Sequence, residues 1–272
     1  MKKKHDPVTI IILVAMAAAI ATAGILLIRE IRFSKAIRQE NEELKQLWTQ
    51  KAADEDSEIQ EKTVATRADK ESSITDETEE AEEAPYQVDF TALRKINPDI
   101  CAWITLEGTG IDYPVLQGSD NLEYLNKNAY GDNAAYGSIF LDYRNSNDFT
   151  DGYSLIYGHH MIDGNMFGNL DLYENEEFFN SHKEGTLYTP DCEYSLKVCA
   201  YALTDCGDEF IFYPEGYDEE SFMAHMEEIS MYRDEIKGER LLALSTCSPG
   251  SSTRRCVLLL AMEPSSKFAK NN

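Results

Sequence analysis

Residues 8–28 form an uncharged run of 21, long enough to cross a bilayer as a helix. Everything downstream must then be built outward from a membrane-embedded start. Lys2, Lys3 and Lys4 precede the run, but Arg29, Arg32, Lys35 and Arg38 follow it closely, so charge asymmetry alone does not set its orientation. Ala21-Thr22-Ala23 has the small-x-small pattern of a signal-peptide cleavage site. The apolar run continues through residues 25–28 and exceeds the usual ~7–15 residue core of a signal peptide, which favours an uncleaved anchor. Residues 1–7 suit a short cytoplasmic tail, with the bulk of the chain outside the cell.

Residues 33–51 read as a polar helix with a thin apolar stripe at Ile37, Leu44, Leu47 and Trp48. The stripe suits a continuation of the membrane helix or weak pairing with a partner. Residues 52–84 carry 13 acidic and 3 basic residues and few large apolar ones. Such a composition buries too little surface to offset ordering entropy, so residues 29–85 are expected to form a polar helix and then an acidic flexible stalk. The net charge of −24 argues against nucleic acid as a partner, because phosphate binding needs a basic surface.

From residue 86 to residue 272 aromatics, glycines and short apolar runs take over, predicting a globular domain. CAWITL, IDYPVLQ, GSIFLDY, YSLIYGHH, TLYTP, YSLKVCAYALTD, LLALSTC and CVLLLAM read as strands separated by turn signals. The pattern predicts a mainly β fold with peripheral helices, an antiparallel sheet or barrel. Two helices interrupt it. One covers residues 120–128 with Asp120 as N-cap. The other covers 218–236, where Phe222, Met226, Ile229, Tyr232 and Ile236 recur at helical spacing, and is expected to wall a groove beside Cys247. The six cysteines show neither CxxC nor zinc spacing; Cys199 and Cys206 are candidates for a single bridge.

Two segments carry chemistry. LALSTC ends a strand at Cys247, and residues 248–254 form a Ser- and Gly-rich loop before the next strand. A short connection makes the two strands antiparallel neighbours and brings an arginine across from the cysteine. An arginine there favours thiolate and stabilises an oxyanion. Arg254 and Arg255 point to opposite faces, so only one can face Cys247; Arg255, nearer the ordered strand, is preferred, with Cys256 then turned into the core. The second segment is SLIYGHHM, where again only one of His159 and His160 can face a site. His182 and His225 fit a polar loop and an acidic helix.

In order along the chain, INPDICAWITLEGTGIDYPVLQGSDNLEYL, YGSIFLDYRN, LIYGHHM, and LSTC followed by an arginine and an apolar strand resemble the class B sortases, cysteine transpeptidases of Gram-positive bacteria. The resemblance covers about residues 90–262; the anchor, the stalk and the long helix before the cysteine strand agree with it. It implies a closed β-barrel with Cys247 as nucleophile, His159 as general acid and base, and Arg255 as stabiliser of oxyanion and substrate. It further implies a substrate groove that includes Asn121, Leu125, Tyr157 and Ser245. This chain departs from the pattern in having His160 where asparagine is common, Ala243 in place of a threonine, and a short SPGSSTR loop that keeps the choice between Arg254 and Arg255 open.

The reaction so implied cleaves a secreted protein after the threonine of a C-terminal sorting pentapeptide, through an acyl-thioester. The protein is then transferred to the amine of a peptidoglycan precursor or cross-bridge. No metal or organic cofactor is implied, and the acidic runs lack EF-hand spacing. A pilin-polymerising sortase is an alternative that differs only in its acceptor, a pilin lysine. A hydrolytic cysteine protease is another, although the papain-type CGSCW signature is absent, and an L,D-transpeptidase would place Ser-x-Gly before its cysteine. A tethered, non-enzymatic binding module would tolerate loss of Cys247.

Overall fold

A computed structural model describes residues 7–66, 88–236, 238, 240–247 and 253–265. The apolar run begins a single long helix, α1 (Pro7–Thr66). Among the described residues it is the one helix long and apolar enough to cross a membrane. Its apolar side chains lie open, with Ile11, Ile20 and Ile25 at 68, 70 and 67% exposed. The backbone does not leave the helix at residue 52, where the acidic stretch begins. That stretch lacks Gly and Pro as far as Thr66, and its commonest residues are Ala and Glu, both good helix formers. Residues 67–85 of the expected stalk, like residues 1–6, lie outside the described residues.

The chain divides into two compact units, Met1–Glu40 and Asn41–Asn272. The second therefore starts well before residue 86. Leu44 is fully buried in a cluster with Phe90, Leu93, Trp103 and Tyr124. Asn41 Nδ2 donates to the Asp112 carbonyl at 2.9 Å, Lys45 pairs with the Asp112 carboxylate, and Trp103 Nε1 donates to the same carboxylate at 2.7 Å. The apolar stripe is thus used, at Leu44, by the chain's own domain.

Among the described residues nine strands follow: β1 (Ile100–Leu106), β2 (Ile111–Leu116), β3 (Ile139–Leu141), β4 (Tyr153–Tyr157), β5 (Glu184–Tyr188), β6 (Glu193–Asp205), β7 (Ser230–Arg233), β8 (Arg240–Cys247) and β9 (Arg254–Pro264). Their order is β5-β1-β2-β3-β4-β8-β9-β6-β7, and β5 also pairs with β6. That extra pairing closes eight strands into a barrel and leaves β7 attached to β6 alone. All eight strand segments read from the sequence are present. The sheet is not purely antiparallel, however: β2 runs parallel to β3, and β4 parallel to β8. A parallel pair needs a long crossover, and the chain between β4 and β8 supplies one.

The helices differ more from expectation. The segment 120–128 contains only a 3-10 turn, Glu123–Leu125. Asp120 Oδ1 does accept from the Leu122 and Glu123 amides, but Lys127 already bridges to Asn133 and draws the chain out of the helix. The long helix, α5, stops at Ile229 (Glu219–Ile229), capped by Asp218. Ser230–Arg233 instead pairs with Ala200–Ala202, so Tyr232 and Ile236 matched the helical spacing by coincidence. Phe222 and Met226 of α5 are buried against Tyr153, Leu241 and Val257. Short helices α2 (Phe90–Ile96), α3 (Glu176–Ser181) and α4 (Glu209–Phe212) were not legible in the sequence. Cys199, buried, and Cys206, exposed, are free thiols, as are Cys101 and Cys192.

Candidate active site

Three adjacent strands set out the site. β4 and β8 run parallel with Tyr157 opposite Ser245. The Gly158 amide continues the ladder by donating to the Ser245 carbonyl at 3.1 Å. Two residues further on each chain stand His159 and Cys247. On the other side of β8, Cys247 is directly opposite Arg255 of β9. Neighbouring strands lie about 4.8 Å apart, so His159, Cys247 and Arg255 occupy successive positions across one edge of the barrel. The sequence alone could place the arginine beside the cysteine through their short loop. It could not place the histidine there, because nothing local announces that β4 and β8 are neighbours.

A cavity of about 280 Å³ opens at this edge. It is lined by His159, Arg255, Asn121, Leu125, Tyr157 and Ser245, six of the seven residues singled out from the sequence, together with Phe140, Phe212, Thr246 and Cys206. Arg254 is exposed and does not line it. The wall opposite the barrel comes from Phe212 of α4, not from the longer α5, which packs on the sheet. Ser245 Oγ is buried and makes no hydrogen bond within the described protein. Among the described residues no cluster of His, Cys, Asp or Glu could hold a metal ion.

His159 is held by its surroundings. Its Nε2 donates to the Leu125 carbonyl at 2.7 Å. A carbonyl only accepts, so Nε2 carries the proton and Nδ1 is the nitrogen available for proton exchange. Leu125 therefore contributes a backbone acceptor as well as cavity surface, a role the side-chain pattern did not reveal. Gly137 makes this approach possible. It sits at φ +61°, and a Cβ there would lie 2.7 Å from both the Leu125 and Tyr124 carbonyl oxygens and 3.0 Å from His159 Cδ2. Gly137→Ala is expected to destabilise the fold by about 1–3 kcal/mol and to shift the His159 imidazole proton resonance. A melting curve and an NMR spectrum identical to wild type would refute this.

A buried carboxylate organises the rest of the lining. Asp142, fully buried, accepts from Arg144 Nε and Nη2 at 2.8 and 2.7 Å, from Asn121 Nδ2 at 2.8 Å and from the Tyr157 hydroxyl at 3.0 Å. Arg144 Nη2 also donates to the Phe212 carbonyl at 2.7 Å, tying α4 to the cavity. The Asn121 Oδ1 accepts the Tyr143 amide, so both ends of that side-chain amide are engaged inside the protein. Burial pushes the Asp142 carboxyl up, but the Arg144 and Asn121 hydrogen bonds and the Arg144 charge outweigh it and hold the group below its ordinary range. Burial and the neighbouring Asp142 push the Tyr157 hydroxyl well up.

A depressed carboxyl stabilises the fold above its unfolded pKa of ~3.9 and loses that contribution as pH falls through the lower folded value. Asp142→Ala leaves Arg144 uncompensated and is expected to lower stability by about 3–5 kcal/mol at pH 7. The acid limb of the stability curve below about pH 4 should shrink as well. Urea unfolding at several pH values measures both effects, and a loss under about 1 kcal/mol would place the pair among weak surface bridges.

Comparison with known proteins decides the family. Residues 104–262, more than half of the chain, match the model of the sortase domain. The chain belongs to the sortase family, a family of cysteine transpeptidases, and its relatives are class B members. It is 36% identical over 162 residues to sortase B of Listeria monocytogenes, a match spanning 57% of this chain and 65% of that protein. Against sortase B of Staphylococcus aureus it is 33% identical over 177 residues, spanning 62% of this chain and 72% of the relative. The match thus covers a little under two thirds of the Listeria relative's length. Among solved structures, a Streptococcus pyogenes class B sortase involved in pilus biogenesis superposes with TM-score 0.60 at 39% identity, covering 65% of this chain and 98% of that one. A Staphylococcus aureus sortase B–substrate complex gives TM-score 0.60 at 33% identity, covering 65% and 85%. The sortase barrel is therefore the fold of this chain.

Proposed function

We propose that this sortase is a membrane-anchored transpeptidase that cleaves secreted proteins after the threonine of a C-terminal sorting pentapeptide. It transfers them to an amine of the cell wall. The observation that carries the reading is the row of His159, Cys247 and Arg255 on three neighbouring strands, beside a cavity in which Arg255 is the one fixed charge among the described lining residues. The Cys247 thiolate attacks the threonine carbonyl, and Arg255 stabilises the oxyanion. The C–N bond breaks as His159 Nδ1 gives its proton to the leaving amine, which forms the thioester. An incoming amine then attacks the thioester and loses a proton to His159 Nδ1, and the thiolate departs.

Ser245, Tyr157, Asn121 and Leu125 line the peptide's path. The unpartnered Ser245 hydroxyl is a natural donor or acceptor for a peptide group, since leaving it unpaired costs about 1–3 kcal/mol. Residues 8–28 act as the anchor, residues 1–7 lie in the cytoplasm, and the catalytic domain stands outside the cell. The likeness to the Streptococcus pyogenes enzyme of pilus biogenesis supports a second acceptor class, the lysine amine of a pilin.

The test is to incubate the full chain in detergent micelles with a pentapeptide library. Either a wall-type peptide amine or a lysine-bearing peptide is supplied as acceptor, and products are read by mass spectrometry. Transfer to the wall-type amine supports the first reading and transfer to lysine the second. Hydrolysis that ignores both amines would point to a protease instead.

A further inference from the structure

We propose that Asp171, which lies outside the cavity lining, is a positioning residue that locks the histidine segment to the arginine strand. This rests on the transpeptidase reading, in which His159 and Arg255 act together on Cys247. The two oxygens of the Asp171 carboxylate take different partners. Oδ2 accepts from His160 Nε2 at 2.5 Å, and Oδ1 accepts from Cys256 Sγ at 3.4 Å. His160 directly follows His159, and Cys256 directly follows Arg255. One carboxylate therefore bridges the chain neighbours of two groups that must face each other across the cysteine.

The bridge is mounted on rigid ground. Asp171 belongs to the 3-10 helix Gly168–Glu174, whose Leu170 and Tyr173 are fully buried. The Tyr173 hydroxyl donates to the His182 carbonyl at 2.9 Å, and its ring stacks on Tyr201. The chain between His160 and Asp171 folds back on itself. Phe167 donates its amide to the His159 carbonyl at 3.0 Å, His160 bridges to Met166, and the Met166 amide donates to the Tyr113 hydroxyl at 3.0 Å. Leu125 holds the His159 ring from one side; the Asp171 bridge holds its backbone from the other. The His160 ring supplies the reach that this bridge uses.

A group misplaced by about 1 Å costs up to about a hundredfold in rate, so loosening the bridge is expected to act on turnover. In the full chain in detergent micelles, Asp171→Ala and His160→Ala should each lower kcat for Cys247-dependent peptide cleavage about tenfold, with KM little changed. His160→Gln places an amide N–H at nearly the reach of Nε2 and should restore kcat to within about threefold of wild type. The double variant should be no worse than either single one. Melting temperatures, followed alongside, tell misfolding from mispositioning. If Asp171→Ala does not fold, the His160 pair carries the test alone. An unchanged kcat in His160→Ala, a loss expressed wholly in KM, or no rescue by His160→Gln would overturn the proposal. If wild type shows no Cys247-dependent cleavage, the transpeptidase reading falls and takes this inference with it. An active wild type with unmoved variants would sink the inference alone.

Discussion

Cys247→Ala is expected to abolish cleavage and transfer together, leaving turnover lower by about four orders of magnitude or more. In the proposed mechanism the two steps share one atom: without the sulfur no thioester would form, and there would be nothing for the acceptor amine to attack. In wild type, peptide and hydroxylamine should give a threonine hydroxamate, the mark of a trapped thioester; in the variant that product should vanish. The fold should be little affected. Cys247 stands at the last position of β8, and the strand's core side chains, Leu241 to Leu244, are supplied by earlier residues. A variant that kept even one per cent of wild-type transfer would mean that the site lies elsewhere.

The second large effect separates two adjacent arginines. Arg255→Ala should lower kcat by about 10²–10³, the usual loss on removing an oxyanion donor. Arg254→Ala should stay within about twofold of wild type, in the range of a surface substitution. The basis is that Arg255 pairs with Cys247 in the strand register and lines the cavity, whereas Arg254 is exposed. Arg255→Lys should fall between them, because lysine keeps the charge but lacks the planar fork. Steady-state kinetics of the three variants on one peptide is sufficient. Equal losses in Arg254→Ala and Arg255→Ala would remove the distinction.

Much of the barrel was legible because its strands are short apolar runs set apart by turn residues, as expected where both faces are covered. The site was legible in halves. Cys247 and Arg255 are joined by a loop short enough for chain geometry to place one beside the other. His159 is joined to them only through the parallel pairing of β4 with β8, which depends on a crossover of some eighty residues and leaves no local trace. The motif resemblance supplied that link; periodicity could not.

The failures have physical causes too. Tyr232 and Ile236 kept helical spacing, yet the open edge of β6 offered Ser230–Arg233 a ladder, and pairing prevailed over pattern. Asp120 capped a turn that Lys127 then ended by bridging to Asn133. The buried Asp142–Arg144 pair is not legible in the sequence because its worth lies in three partners, Asn121, Tyr157 and Phe212, brought together from distant segments. The backbone carbonyl of Leu125 escaped because sequence patterns describe side chains.

The contact of Asn41, Leu44 and Lys45 with the body of the domain bears on the fate of the protein after proteolysis. A cut between residues 47 and 87 would convert that contact from an intramolecular to a bimolecular one. Its strength would then depend on dilution instead of on the chain that now enforces it. Once the segment drifted away, the apolar slot shared by Phe90, Leu93, Trp103 and Tyr124 would stand open to water. A cut there would in this way also shorten the lifetime of the separated domain, which depends on its own N-terminal segment to close its core.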